Sequence, residues 1–116
     1  TPANIEQLFT PSETRPNYIF QTFLYASIMC RQQTLKVAPA LLYIHRAASD
    51  SYSPVIEMGE PRQPKIPVNN FTFFEDEFRK RLQTLLEEIF SENEPFTQTE
   101  DIKKCSYCDF KAICKR

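Results

Sequence analysis

The chain shows several different rhythms of apolar and polar residues. Asn4 to Phe9 supports one or two helical turns, and the two prolines of "TPSETRP" end them. The stretch "NYIFQTFLYASIMCRQQ", Asn17 to Gln33, predicts a helix with Asn17 as its N-cap. Its Tyr18, Ile19, Phe20, Phe23, Leu24, Tyr25, Ala26, Ile28 and Met29 put apolar groups on nearly every face. A helix apolar all round is expected inside a larger body. "KVAPALLYIHRAA" then predicts a strand whose unbroken run, Ala40 to Ile44, is covered on both faces. Pro39 belongs at its start or on an edge. Val55 to Met58 predicts a shorter strand, followed by a proline-rich excursion through Pro61, Pro64 and Pro67. The best-marked helix comes next. Thr72 and Glu75 read as a capping box, and Phe74, Phe78, Leu82, Leu85, Leu86, Ile89 and Phe90 recur at helical spacing. Glu77 and Arg81 form a charged pair on its wet side. "SENEPFTQTEDIKK" leads out as an extended linker to a cysteine-rich tail, and no internal repeat is visible.

Composition narrows the functional classes. The 116 residues allow one small domain with a single core. No run of about eighteen apolar residues suggests a membrane span, and no leader peptide stands at the start. A soluble protein of a reducing compartment is expected. The chain also begins without methionine, and the expectation is a processed or cut piece of something longer. A net charge of −1 argues against the whole chain acting as a free-standing nucleic-acid binder. The charge is uneven: Glu87, Glu88, Glu92, Glu94, Glu100 and Asp101 precede a basic tail of Lys103, Lys104, Lys111, Lys115 and Arg116. A single glycine excludes a glycine-rich phosphate loop. The single histidine, His45, would have to carry any Ser–His–Asp or Cys–His site, and it reads as a structural residue. No convincing catalytic set is present.

Two constellations carry possible chemistry. Gln21 and Tyr25 are four apart and so share one helix face. A buried amide there would be a structural tie, because buried amides find partners. The functional alternative is a Gln–Tyr pair directed into a site. Cys105, Cys108 and Cys114 in "CSYCDFKAIC" follow C-x2-C-x5-C. The first pair makes the tight turn that lets two sulfurs reach one metal. The following "DFKAI" supports about one helical turn, which Asp109 is placed to cap. Thiolates select zinc or iron–sulfur clusters, and the spacing leaves both open. Idle thiols or one disulfide are the bland reading. Cys30, on the apolar helix, reads as core filler.

The order Q-x3-Y on a helix and then C-x2-C-x5-C resembles the RecB-like nucleases of the PD-(D/E)XK superfamily. The likeness is greatest to the C-terminal end of AddB-type helicase–nuclease subunits. "YIFQTFLYA" and "PFTQTEDIKKCSYCDFKAICKR" carry most of it, over about Asn17 to Arg116. The resemblance implies an α/β fold class. The chain would be an α+β piece from the C-terminal part of a restriction-endonuclease-like core: a helix–strand unit, a long amphipathic helix and a Cys-rich tail. Residues 17–47 would end the nuclease core, 48–71 form the Pro-rich excursion, 72–91 the long helix, and 92–116 the linker and tail. It implies metal-dependent DNA cleavage by the parent in double-strand-break repair, with Mg or Mn at the nuclease site. Gln21 and Tyr25 would support the active site or orient DNA. Cys105, Cys108 and Cys114 would be three ligands of a 4Fe-4S iron–sulfur cluster, with zinc as the alternative. The fourth ligand, the catalytic Asp and the (Asp/Glu)-x-Lys would lie before residue 1. The isolated chain is then expected to hold no metal, to be inactive, and to cover its apolar surface by self-association. Expected partners are DNA and a partner helicase–nuclease subunit, without a membrane, in the bacterial cytoplasm. A different reading is a small zinc-binding interaction module. It requires Cys30 or His45 to approach the tail cysteines.

Overall fold

A computed structural model describes residues 1–32 and 36–116. Helix α1 spans Glu6–Phe9. It is set by Asn4, whose Oδ1 accepts from the Gln7 N–H at 3.1 Å. Helix α2 spans Asn17–Gln32. Gln33, the last residue expected in it, lies outside the described residues. Asn17 is already helical and is not the cap. The Pro16 carbonyl accepts from the N–H groups of Ile19 and Phe20, and the Asn17 side chain turns back to the Arg15 Nε at 2.9 Å. Proline suits a helix start because its missing N–H needs no partner there. The helix is not engulfed. Phe23, Ala26 and Ser27 are buried, with Ile19, Phe20, Leu24 and Cys30 packed beside them, while Tyr18, Tyr25, Ile28 and Met29 stay exposed.

The expected strand at Ala40 to Ile44 does not form. Only a single bridge joins Ala40 to Val55, and Ile44–Arg46 is a 3-10 turn. The reason is local. The Tyr52 hydroxyl donates to the Leu41 carbonyl at 2.6 Å and accepts from the Tyr43 N–H at 2.7 Å. Those are backbone groups that a ladder would use. Pro54, which accepts from Leu41 N–H at 2.8 Å, has no N–H to return. Leu42 and Ile44 are consequently exposed, at 62% and 85%, rather than covered on both sides.

Strand β1, Glu57–Met58, pairs antiparallel with β2, Ile66–Pro67, so the proline-rich excursion returns as the second arm of a hairpin. Ile56 and Met58 are buried and Glu57 is exposed, the period-two alternation of a one-sided strand. Gly59, at φ +151°, opens the connection, and a Cβ there would stand 3.2 Å from the Pro64 carbonyl.

Helix α3 spans Thr72–Phe90. The capping box is absent. Phe71 is already in helical conformation, and Asn70 Oδ1 accepts from the Thr72 N–H at 3.2 Å. Glu75 lies instead 3.7 Å from Arg79, with its other oxygen buried and unpartnered. Glu77 and Arg81 pair at 3.0 Å as expected. Phe78, fully buried, meets the rings of Phe9, Phe20, Phe23 and Phe71 with centroids 5.3, 5.6, 6.1 and 5.9 Å away. Such tilted and edge-on contacts are favoured by aromatic quadrupoles.

After an extended linker, helix α4 spans Ile102–Ser106, and Asp101 caps it by accepting from the Lys104 N–H. Lys103 reaches Glu13 at 2.8 Å and ties the tail to the loop before α2. The described architecture is a mixed one: helices around a phenylalanine core and one small two-stranded sheet. Among the described residues no helix is long and apolar enough to cross a membrane.

Candidate functional site

Gln21 and Tyr25 sit on the face of α2 opposite the one that buries Phe23, Ala26 and Ser27. Gln21 Nε2 donates to the Tyr25 hydroxyl at 3.0 Å. Both side chains are exposed, so Gln21 is not a buried amide tying the core together. The pair presents an amide oxygen and a phenolic proton to solvent side by side, one acceptor and one donor held by each other's geometry. Such a pair suits a polar backbone laid along the helix.

The tail cysteines follow from α4 and its exit. Cys105 lies in the helix, Cys108 follows its last turn, and Cys114 closes the next turn. Lys111 N–H donates to the Cys108 carbonyl at 3.2 Å and Cys114 N–H to Phe110 at 3.3 Å, which is the expected single turn. Its expected cap is not Asp109; the capping aspartate of the tail is Asp101, one helix earlier. All four cysteines are free thiols. Cys105, Cys108 and Cys114 line one small cavity of about 170 Å³, with Lys104 and Arg116 at its wall. Gln98 holds the wall in place. Its Nε2 donates to the Cys114 carbonyl at 3.2 Å, and its Oε1 accepts from Arg116 at 3.3 Å.

Among the described residues no three His, Cys, Asp or Glu side chains are gathered closely enough for one metal ion. A zinc ion, at bonds of about 2.3 Å, would draw its sulfurs almost into contact. An iron–sulfur cluster spreads its thiolates over several irons, and cations beside it offset its negative charge. Three thiolates are a donor set that zinc and iron–sulfur clusters share. Neither Cys30, which packs on the core, nor His45, which lines a different cavity, joins the three thiols.

Sequence reasoning did not single out a second aromatic group. Tyr18, on the same exposed side of α2, meets Tyr43 at 6.4 Å between ring centroids. Tyr43 meets His45 at 5.9 Å and carries the Arg46 guanidinium 5.8 Å above its ring. The one available signal was the i, i+3, i+7 placement of Tyr18, Gln21 and Tyr25.

The family model of the PD-(D/E)XK nuclease superfamily matches residues 6–115, and the chain belongs to that superfamily. Neither a curated relative nor a solved structure matches it.

Proposed function

We propose that this chain is part of the nuclease domain of a RecB-like, AddB-type helicase–nuclease that cleaves DNA during double-strand-break repair. The observation that carries the reading is the exposed, mutually hydrogen-bonded Gln21–Tyr25 pair in a chain of this superfamily. On this reading the pair holds the sugar–phosphate backbone, Gln21 by its amide and Tyr25 by its hydroxyl, and so fixes the scissile phosphate in register. Magnesium or manganese, when bound, polarises the phosphate and activates water; no residue of this chain is assigned to it. Cys105, Cys108 and Cys114 are three ligands of a 4Fe-4S cluster that fastens the tail onto the nuclease domain, with Lys104 and Arg116 balancing its charge. DNA and a partner helicase–nuclease subunit are the partners, and the reading puts the protein in the bacterial cytoplasm, where free thiols persist.

Cleavage of a labelled DNA by the intact protein tests the pair. Gln21→Ala and Tyr25→Phe are expected to lower kcat/KM by about ten- to a hundredfold through lost positioning. Because both side chains are exposed, stability should stay within about 0.5 kcal/mol of the parent. Undiminished cleavage by both variants would sink the assignment. The intact helicase–nuclease, purified anaerobically, is expected to carry iron and acid-labile sulfide that Cys108→Ser removes; zinc in their place would favour the interaction-module reading.

A further inference from the structure

The Gln21–Tyr25 pair does not end the polar and aromatic surface of α2. One turn earlier on the same side, Tyr18 is 65% exposed and stands edge-on to Tyr43. Tyr43, His45 and Arg46 line a cavity of about 420 Å³, within the range of small-ligand sites. The two nearest tyrosines have different tasks. The Tyr52 hydroxyl is spent on the Leu41 and Tyr43 backbone and shapes the segment. Tyr18 makes no such tie and shows its ring to solvent. Arg46 is held over the Tyr43 ring and, among the described residues, has no carboxylate within ion-pair distance. It keeps its planar fork of donors available for a phosphate. Glu57 is the single acidic residue lining the cavity. It partly offsets Arg46, and that balance suits one phosphodiester rather than the dense charge of a polyphosphate.

We infer that Tyr18, Tyr43, His45 and Arg46 form an accessory site for single-stranded DNA, seating one nucleotide of the strand that passes over Gln21 and Tyr25. The base stacks on the exposed Tyr18 ring, since Arg46 already covers the Tyr43 ring, and the phosphate is held by Arg46, with His45 as a further polar contact. Stacking is tolerant of sequence because every base has a π face. A duplex is the poorer occupant, since its bases are already stacked on one another and are not free to stack on Tyr18. The inference rests on the nuclease reading for the direction of the strand, while its chemistry stands on this surface alone.

The test is fluorescence anisotropy of a fluorescein-labelled oligothymidylate with the full chain, in EDTA so that no metal-dependent cleavage intrudes. Arg46→Ala is expected to weaken binding about tenfold and to reduce the salt dependence by one phosphate contact, a log–log slope change of about 0.7. Tyr18→Ala is expected to weaken binding about tenfold with the slope unchanged. Arg46→Lys should keep the slope and lose part of the affinity. Tyr18 and Arg46 are exposed, so unchanged thermal unfolding separates a lost contact from a lost fold. Wild-type affinity in both alanine variants overturns the inference, as does equal competition by a nucleoside triphosphate or a preference for blunt duplex. Metal-dependent cleavage by the intact helicase–nuclease, measured in parallel, keeps the two readings apart. Retained cleavage there with unaltered Arg46→Ala binding removes this site and leaves the nuclease reading. Weakened Arg46→Ala binding beside an intact protein that cleaves nothing does the reverse.

Discussion

Phe78 brings three helices and the residue before α3 to one point. It is fully buried, and its ring meets four others at centroid distances from 5.3 to 6.1 Å. Truncation to alanine would remove all of those contacts and leave a cavity that the surrounding rings, themselves packed, fill poorly. Phe78→Ala should therefore cost about 3–5 kcal/mol. Urea unfolding followed by circular dichroism checks this, and a cost under about 1 kcal/mol would mean that the core relaxes around the gap. Phe78 was legible from helical spacing alone. The Gln21–Tyr25 pairing was legible in the same way, because four-residue spacing sets side chains together on any helix. The exposure of Gln21 was not. Spacing says which residues share a face, but only the packing of α1 and α3 on α2 decides which face is covered. Tyr43, His45 and Arg46 were hidden for a related reason. Their proximity to Tyr18 depends on the path of a non-helical segment, which no periodicity encodes.

At the level of elements, helices were read well and strands poorly. Helix formation follows from neighbours three and four residues away, so α2 and α3 fall close to their expected bounds. The Ala40 to Ile44 segment has a strand's composition, yet a strand needs a partner with free backbone groups. Pro54 and the Tyr52 hydroxyl remove that possibility. The start of α3 shows a subtler error of one residue. Because Phe71 is drawn into the core and into helical conformation, the capping oxygen comes from Asn70, not Thr72. Asn70→Ala should accordingly destabilise by about 1 kcal/mol, and Thr72→Ala should change little, within about 0.5 kcal/mol. Paired thermal melts of the two variants check the order. A larger loss from Thr72→Ala would restore the capping box.

The whole molecule is more open than its length requires. It exposes 9561 Å², where a folded monomer of this length exposes about 6,600 Å². Its radius of gyration is 17.1 Å, against about 13 Å for a compact domain of this length. Ile44, Phe73, Phe90 and Phe96 are among the large apolar side chains left in solvent. Uncovered apolar surface on this scale favours association. The isolated chain is expected to form dimers or larger species at micromolar concentration, measured by light scattering, and a monodisperse monomer at all concentrations would count against this. The ring cluster has a further consequence, one of timing. Phe9 and Phe78 lie about seventy residues apart, and closing so long a loop precedes any reward from their contact. During synthesis on the ribosome, the phenylalanines of α1 and α2 therefore emerge well before Phe78, and this ring cluster closes only once the first turns of α3 have followed them out.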